Sequence, residues 1–90
     1  MRSIITDDMA NCMVCGAPAQ WHHCPYGCFR KKADKYGLIF PLCMRHHTGD
    51  QGVHAGNVEL DRKLHKIAQR AFEKKYGHEK WMEEFRKNYL

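Results

Sequence analysis

Residues 41–54 read PLCMRHHTGDQGVH, from Pro41 to His54. One cysteine and three histidines lie in this stretch, and each can ligate a transition metal. Cys43 and His46 are separated by two residues, the spacing that lets one turn present two donors to one ion. The same spacing occurs upstream in CMVC, at Cys12 and Cys15, with Gly16 directly after to relieve the turn. Together Cys12, Cys15, Cys43 and His46 form a Cys3His set, the donor count of a tetrahedral structural zinc site. The plain alternative is four unliganded core residues.

The rest of the chain favours such a staple. A single domain of 90 residues has little room for a core, and small scaffolds are commonly held by disulfides, a metal or a partner chain. Five cysteines leave one thiol over in any disulfide framework. The start, MRSIITDDMANC, has no apolar run long enough for a signal peptide, and no later stretch approaches a membrane span. The expectation is a cytoplasmic protein with reduced thiols, where clustered cysteines bind metal. The net charge of +5 suits a polyanionic partner such as DNA, and equally an acidic patch on another protein.

Three regions differ in character. Residues 1–10 hold Thr6, Asp7 and Asp8, candidate caps for a brief helical turn. Residues 12–54 carry all five cysteines and five of the seven histidines. AQWHHC and GLIFPLC are the strand candidates, PYG reads as a turn between them, and a helix begins near Cys43. Two strands, a loop and a helix make a ββα unit. Residues 57–90 are helical. Asn57 is an N-cap candidate with Glu59 in the first turn, and Leu60, Leu64, Ile67, Ala68, Ala71 and Phe72 recur at helical spacing, with Tyr76 extending the stripe. Gly77 is a helix stop. A shorter helix follows, with Trp81, Met82, Phe85 and Tyr89 on one side. The two stripes read as core. Lys63, Lys66, Arg70 and Lys74 occupy the opposite face of the long helix, either as a solvated surface or as a phosphate-contacting stripe.

Cys24 and Cys28, in CPYGC, could replace one ligand pair or serve as small buried hydrophobes; the tidier CxxC and CxxH pairs favour burial or turn packing for them. With the first ligand set assigned, His22, His23, His47 and His54 remain. His46 and His47 diverge by about 100° on a helix, so one can face the zinc knuckle while the other faces a second site. Gly49 and Gly52 argue for a loop that swings His54 back toward it.

CMVCG, WHH, PLCMRHH and GVH, in this order, with the ELDRKLHKIAQRAFEKKYG helix and the FRKNYL ending, resemble the small HNH-type proteins of phages and prophages, of the ββα-metal (His-Me finger) nuclease class. The resemblance covers nearly the whole chain. It implies an α+β fold: one zinc-stabilised HNH-like unit with two C-terminal helices. By the same resemblance Cys12, Cys15, Cys43 and His46 form the structural knuckle. His22, His47 and His54 hold a second divalent metal (Zn2+, Mn2+, Ni2+ or Mg2+), and His23 is the general base of DNA phosphodiester hydrolysis.

That chemistry needs water made nucleophilic and a cation beside the scissile phosphate, tasks suited to a neutral imidazole and a histidine-held metal. Arg30, Lys31 and Lys32, between the strands, could grip the DNA backbone, with Lys66 and Arg70 as further contacts.

The chain departs from the pattern at its middle Asn, where Leu38 falls, leaving Asp34 or a backbone carbonyl to orient His23. It also has no separate DNA-binding domain. The alternative is therefore a catalytically silent zinc-stabilised module that binds a protein, such as a phage inhibitor (anti-CRISPR) of a host defence nuclease. A zinc-finger transcription factor fits less well, because the long helix follows the metal cluster and does not sit inside it.

Overall fold

The structure is a computed structural model and describes residues 3–50 and 52–90; Met1, Arg2 and Gln51 lie outside the described residues. Strands β1 (Gln20–His23) and β2 (Ile39–Leu42) pair antiparallel, with His22 opposite Phe40 and His23 opposite Ile39. Both lie inside the expected strand segments. All four β2 residues are buried, and Phe40 and Leu42 share one core cluster with Cys12 and Cys43 of the knuckle and with the C-terminal helices. Pro41 has no N–H to donate, yet its carbonyl accepts from Met13 N at 2.9 Å and so ties the knuckle to β2.

The connection between the strands is not a plain loop. A 3-10 turn (Gly27–Phe29) leads into helix α1 (Arg30–Lys35). RKKADK is built of good helix formers, and its single apolar member, Ala33, is fully buried. The N-terminal segment also departs from expectation: Thr6 and Asp8 cap bends, not a helical turn. Thr6 Oγ1 accepts from Asp8 N at 3.2 Å, and Asp8 Oδ1 accepts from Ala10 N at 3.1 Å. Ser3 ties this segment to β2: its hydroxyl donates to the Ile39 carbonyl at 2.7 Å.

Helix α2 (Met44–His47) begins right after Cys43, whose carbonyl accepts from both His46 N and His47 N. A 3-10 turn (Val53–Ala55) follows, then α3 (Val58–Tyr76) and α4 (His78–Phe85). Asn57 caps α3 as expected, its Oδ1 accepting from Leu60 N at 3.1 Å. Gly77, at φ 92°, ends α3 and starts α4.

Leu64, Ala68 and Phe72 of α3 pack with Trp81 and Phe85 of α4 and with Leu38, Phe40 and Leu42 of the hairpin. Tyr89 lies beyond the end of α4 but still joins this cluster, because its backbone N–H donates to the buried Gln69 Oε1 at 2.7 Å. The radius of gyration, 12.4 Å, is close to the ~12 Å expected for a compact chain of this length, so the helices fold back over the metal-rich half. Among the described residues the result is a small α+β domain with a two-stranded sheet and four α-helices. Among the described residues no helix is long and apolar enough to cross a membrane.

Candidate metal centre

The knuckle turn is closed by three backbone hydrogen bonds, Cys12 N to Ala17 O, Gly16 N to Cys12 O and Ala19 N to Ala10 O. They place Cys12 and Cys15 on the same side, facing the start of α2. Cys43 Sγ lies 3.2 Å from His46 Nδ1, Cys12 Sγ lies 3.8 Å from it, and Cys15 Sγ lies 3.6 Å from Cys43 Sγ. Bond lengths of about 2.3 Å to sulfur and 2.0–2.1 Å to nitrogen give a tetrahedron edges of about 3.5–3.8 Å. The observed edges fall close to that range. A disulfide, at about 2.05 Å, is excluded for the Cys15–Cys43 pair. These four residues are close enough to hold one metal ion and are compatible with structural zinc.

The protonation of the set points the same way. Burial opposes the Cys12 thiolate, but the backbone N–H groups of Cys43, Cys15 and Val14 outweigh it and lower Cys12 to about 6. The Ala17 N–H favours the Cys15 thiolate, yet the neighbouring Cys43 and Cys12 thiols and desolvation together raise it. Thiolates crowded at this distance repel unless a cation lies between them. Cys24 and Cys28 stay out of the cluster. Cys24 is fully buried, which pushes its thiol up, and Cys28 is exposed.

A second cluster forms on the far side of α2. His22, His47 and His54 each offer a ring nitrogen within 4.8 Å of the others and could hold a metal ion. Their ring centroids are 4.9–5.2 Å apart. His46 and His47 diverge as their helical positions require, one toward the cysteines and one toward His22.

The loop to His54 depends on two glycines. A Cβ on Gly52 would lie 2.6 Å from the His47 carbonyl oxygen, and one on Gly49 would lie 2.8 Å from Arg45 Cα. Only glycine lets the chain turn this tightly over α2 and return His54 to the cluster.

His22 is 1% exposed, and its Nε2 has no hydrogen-bond partner among the described residues. An unmet buried polar group costs about 1–3 kcal/mol, so the atom calls for a ligand. Burial lowers His22 to about 3, with His47, His54, His65 and His23 adding to the effect, so the ring is neutral at pH 7. His47 is lowered too, by burial and then by His54. A neutral imidazole is the ligating form. His47 Nδ1 lies 3.0 Å from Gln20 Oε1, which requires Nδ1–H and leaves Nε2 bare. Gln20 carries no signal in the sequence that separates it from other strand polar residues.

His23 Nε2 lies 2.8 Å from Asp34 Oδ1 of α1. An ionised carboxylate only accepts, so Nε2 is the donor of this pair. Asp34, one of the two candidates raised by the sequence, is thus the partner of His23. Leu38 is fully buried beneath the hairpin and cannot take that part.

A cleft of about 260 Å³ is lined by Trp21, His22, His23, Tyr26, Gly27, Arg30, His47 and His54. A neighbouring hollow of about 230 Å³, lined by His23, Arg30, Lys31 and Asp34, continues from it. Lys32 faces elsewhere: its Nζ donates to the Glu84 carbonyl at 3.0 Å and lies 3.2 Å from Glu84 Oε2, pinning α1 to α4. Of the expected DNA contacts, Arg30 and Lys31 therefore border the histidines. Lys66 and Arg70 are exposed on α3, and Lys66 lines a separate hollow with Arg62 and Lys87.

His65, which the helical spacing did not single out, is buried on α3, bonded to the Asp61 carbonyl and stacked on Tyr89. Comparison with family models, curated proteins and solved structures returns no match.

Proposed function

We propose that this chain is an HNH-type metal-dependent nuclease that hydrolyses DNA phosphodiester bonds. In this reading Cys12, Cys15, Cys43 and His46 hold a structural Zn2+. His22, His47 and His54 hold a second divalent ion, and nitrogen donors favour Zn2+, Ni2+ or Mn2+ over Mg2+. One observation carries the proposal: three histidines, one with an orphaned buried nitrogen, converge in a cleft that is also lined by His23, whose ring is paired with Asp34. Among the described residues this set has three donors, the number that leaves a coordination position open for substrate.

The chemistry follows from the residues. His23 Nδ1 has no hydrogen-bond partner among the described residues and is free to take a proton from water. Asp34 holds the ring tautomer and offsets the charge that forms on it. Arg30 and Lys31 flank the pair and suit the phosphates on either side. A divalent ion at the histidines, when bound, would grip the scissile phosphate and stabilise the leaving oxygen. The reading expects cleavage that is nonspecific, structure-directed or dependent on a partner, in the reducing cytoplasm of a host cell.

The test is plasmid nicking with added Mn2+, Ni2+, Zn2+ or Mg2+, comparing wild type with His23→Ala. The proposal expects nicking by wild type and a loss of about 10²–10⁴-fold in the variant. Equal nicking by both would sink it. No nicking by a fully metallated protein would favour the second reading, a zinc-stabilised module that docks on a protein such as a host defence nuclease. What supports that reading is the half-exposed pair Met13 and Val14 on the knuckle, which borders a mostly apolar hollow with Leu60, Lys63, Leu64 and Ile67.

A further inference from the structure

The cleft has a feature that hydrolysis alone does not use. Trp21 stands on its rim with 47% of its surface exposed, and Tyr26, 40% exposed, forms part of its wall. Tyr26 is held by ring contacts with His54 at 5.2 Å and His22 at 5.8 Å. Trp21 has no aromatic or hydrogen-bond partner among the described residues, so its ring face and its indole N–H are both available. The other tryptophan, Trp81, is fully buried and donates to the Lys87 carbonyl at 2.7 Å. A free indole is a costly thing to leave in water, since such a ring can bury about 150–250 Å².

Next to this aromatic rim lie Arg30, which lines both hollows, and Lys31. Aromatic faces beside a cationic track are the elements that bind a single nucleic-acid strand, with bases stacked on rings and phosphates on cations. A duplex keeps its bases stacked inside and would have to unpair one to reach Trp21, at a cost of a few kcal/mol. We propose that the cleft takes an unpaired DNA strand, with a base stacked on Trp21 next to the phosphate that lies over the histidines. This rests on the phosphodiester reading and names its substrate class: single-stranded, flap or gapped DNA in preference to intact duplex.

Binding tests it separately from cleavage. The metal-loaded full chain carrying His23→Ala is titrated with a labelled single strand of about 12 nucleotides and with the matching duplex. The strand should bind at least about tenfold tighter and quench the indole emission, while Trp81 stays shielded as an internal reference. Adding Trp21→Ala should weaken strand binding by about tenfold and leave duplex binding unchanged, whereas Trp21→Phe should keep most of the affinity. Trp21 is exposed, so neither change threatens the fold. Equal affinity for strand and duplex overturns the inference, as does a Trp21→Ala variant that weakens neither form or both alike. Strand preference without nicking by wild type would refute the cleavage reading alone; nicking without strand preference would refute this inference alone.

Discussion

Cys15→Ser separates a metal-held knuckle from a merely packed one. Cys15 is exposed, unlike Cys12 and Cys43, so its substitution removes almost no core packing. If no metal were bound, exchanging an exposed thiol for a hydroxyl would change stability by no more than about 0.5 kcal/mol. If zinc is bound, the change removes one of four ligands. Structural zinc contributes about 10–16 kcal/mol of apparent folding free energy, so an even quarter is about 2.5–4 kcal/mol. The whole stability of such a domain is about 5–15 kcal/mol. At about 4–8 °C per kcal/mol for a chain of this size, the melting temperature should fall by about 10–30 °C. The assay is thermal unfolding by circular dichroism in zinc-replete buffer, with zinc content measured on the same samples. Wild type and Cys15→Ser melting together would refute the reasoning, because the geometry at the 3.6 Å Cys15–Cys43 contact would then be held without a cation.

Three other perturbations have stated outcomes. Gly52→Ala places a Cβ against the His47 carbonyl and should cost about 1–3 kcal/mol, displacing His54 while the knuckle keeps its zinc; an unchanged melt would contradict the tight-loop account. Asp34→Asn should lower nicking about 10–100-fold with the melt unchanged, because an amide can donate to Nε2 and shift the ring proton to Nδ1; full activity would rule out the pair as a unit. For His22 the folded value, about 3, lies below the ordinary 6.5, so its contribution is complete above 6.5 and lost as pH falls from 6.5 toward 3. Between about pH 7.5 and about pH 5, wild type that holds only the knuckle zinc should lose about 2 kcal/mol more than His22→Leu in urea unfolding; equal losses would contradict a buried neutral ring.

The legible parts of this fold were those that local spacing encodes. The CxxC and CxxH pairs, the Asn57 cap, the Gly77 break and the apolar stripe of α3 each depend on residues a few positions apart, and the structure has all of them. The convergence of His54 on His47 was readable too, because Gly49 and Gly52 left little but a tight return.

Helix α1 leaves no clear mark in the sequence because it is a short turn-and-a-half whose one buried residue is Ala33, with no side-chain cap at Phe29. Thr6 and Asp8 carried the residue types of helix caps but had no apolar period after them to cap. Lys32 looked like its neighbours Arg30 and Lys31. Its partner, Glu84, is 52 residues away, and no local pattern reveals such a contact. His65 and Gln69 sit in the buried stripe as polar residues; Asp61 and Glu73 are one helical turn away from them, but the Asn88 and Tyr89 partners of Gln69 become evident only once α3 and the C-terminal tail are packed together.

The central claim is a chain with two metal centres divided across α2, one that holds shape and one left open for chemistry. Counting metal ions per chain by elemental analysis, for wild type and for His54→Ala, tests it most directly. His54 is exposed on a 3-10 turn, so its loss should spare the fold. The account predicts two ions in wild type and one in His54→Ala, with the remaining zinc retained and the domain still folded, melting lower by no more than the lost ion accounts for. A single ion in wild type, undiminished in His54→Ala, would contradict it.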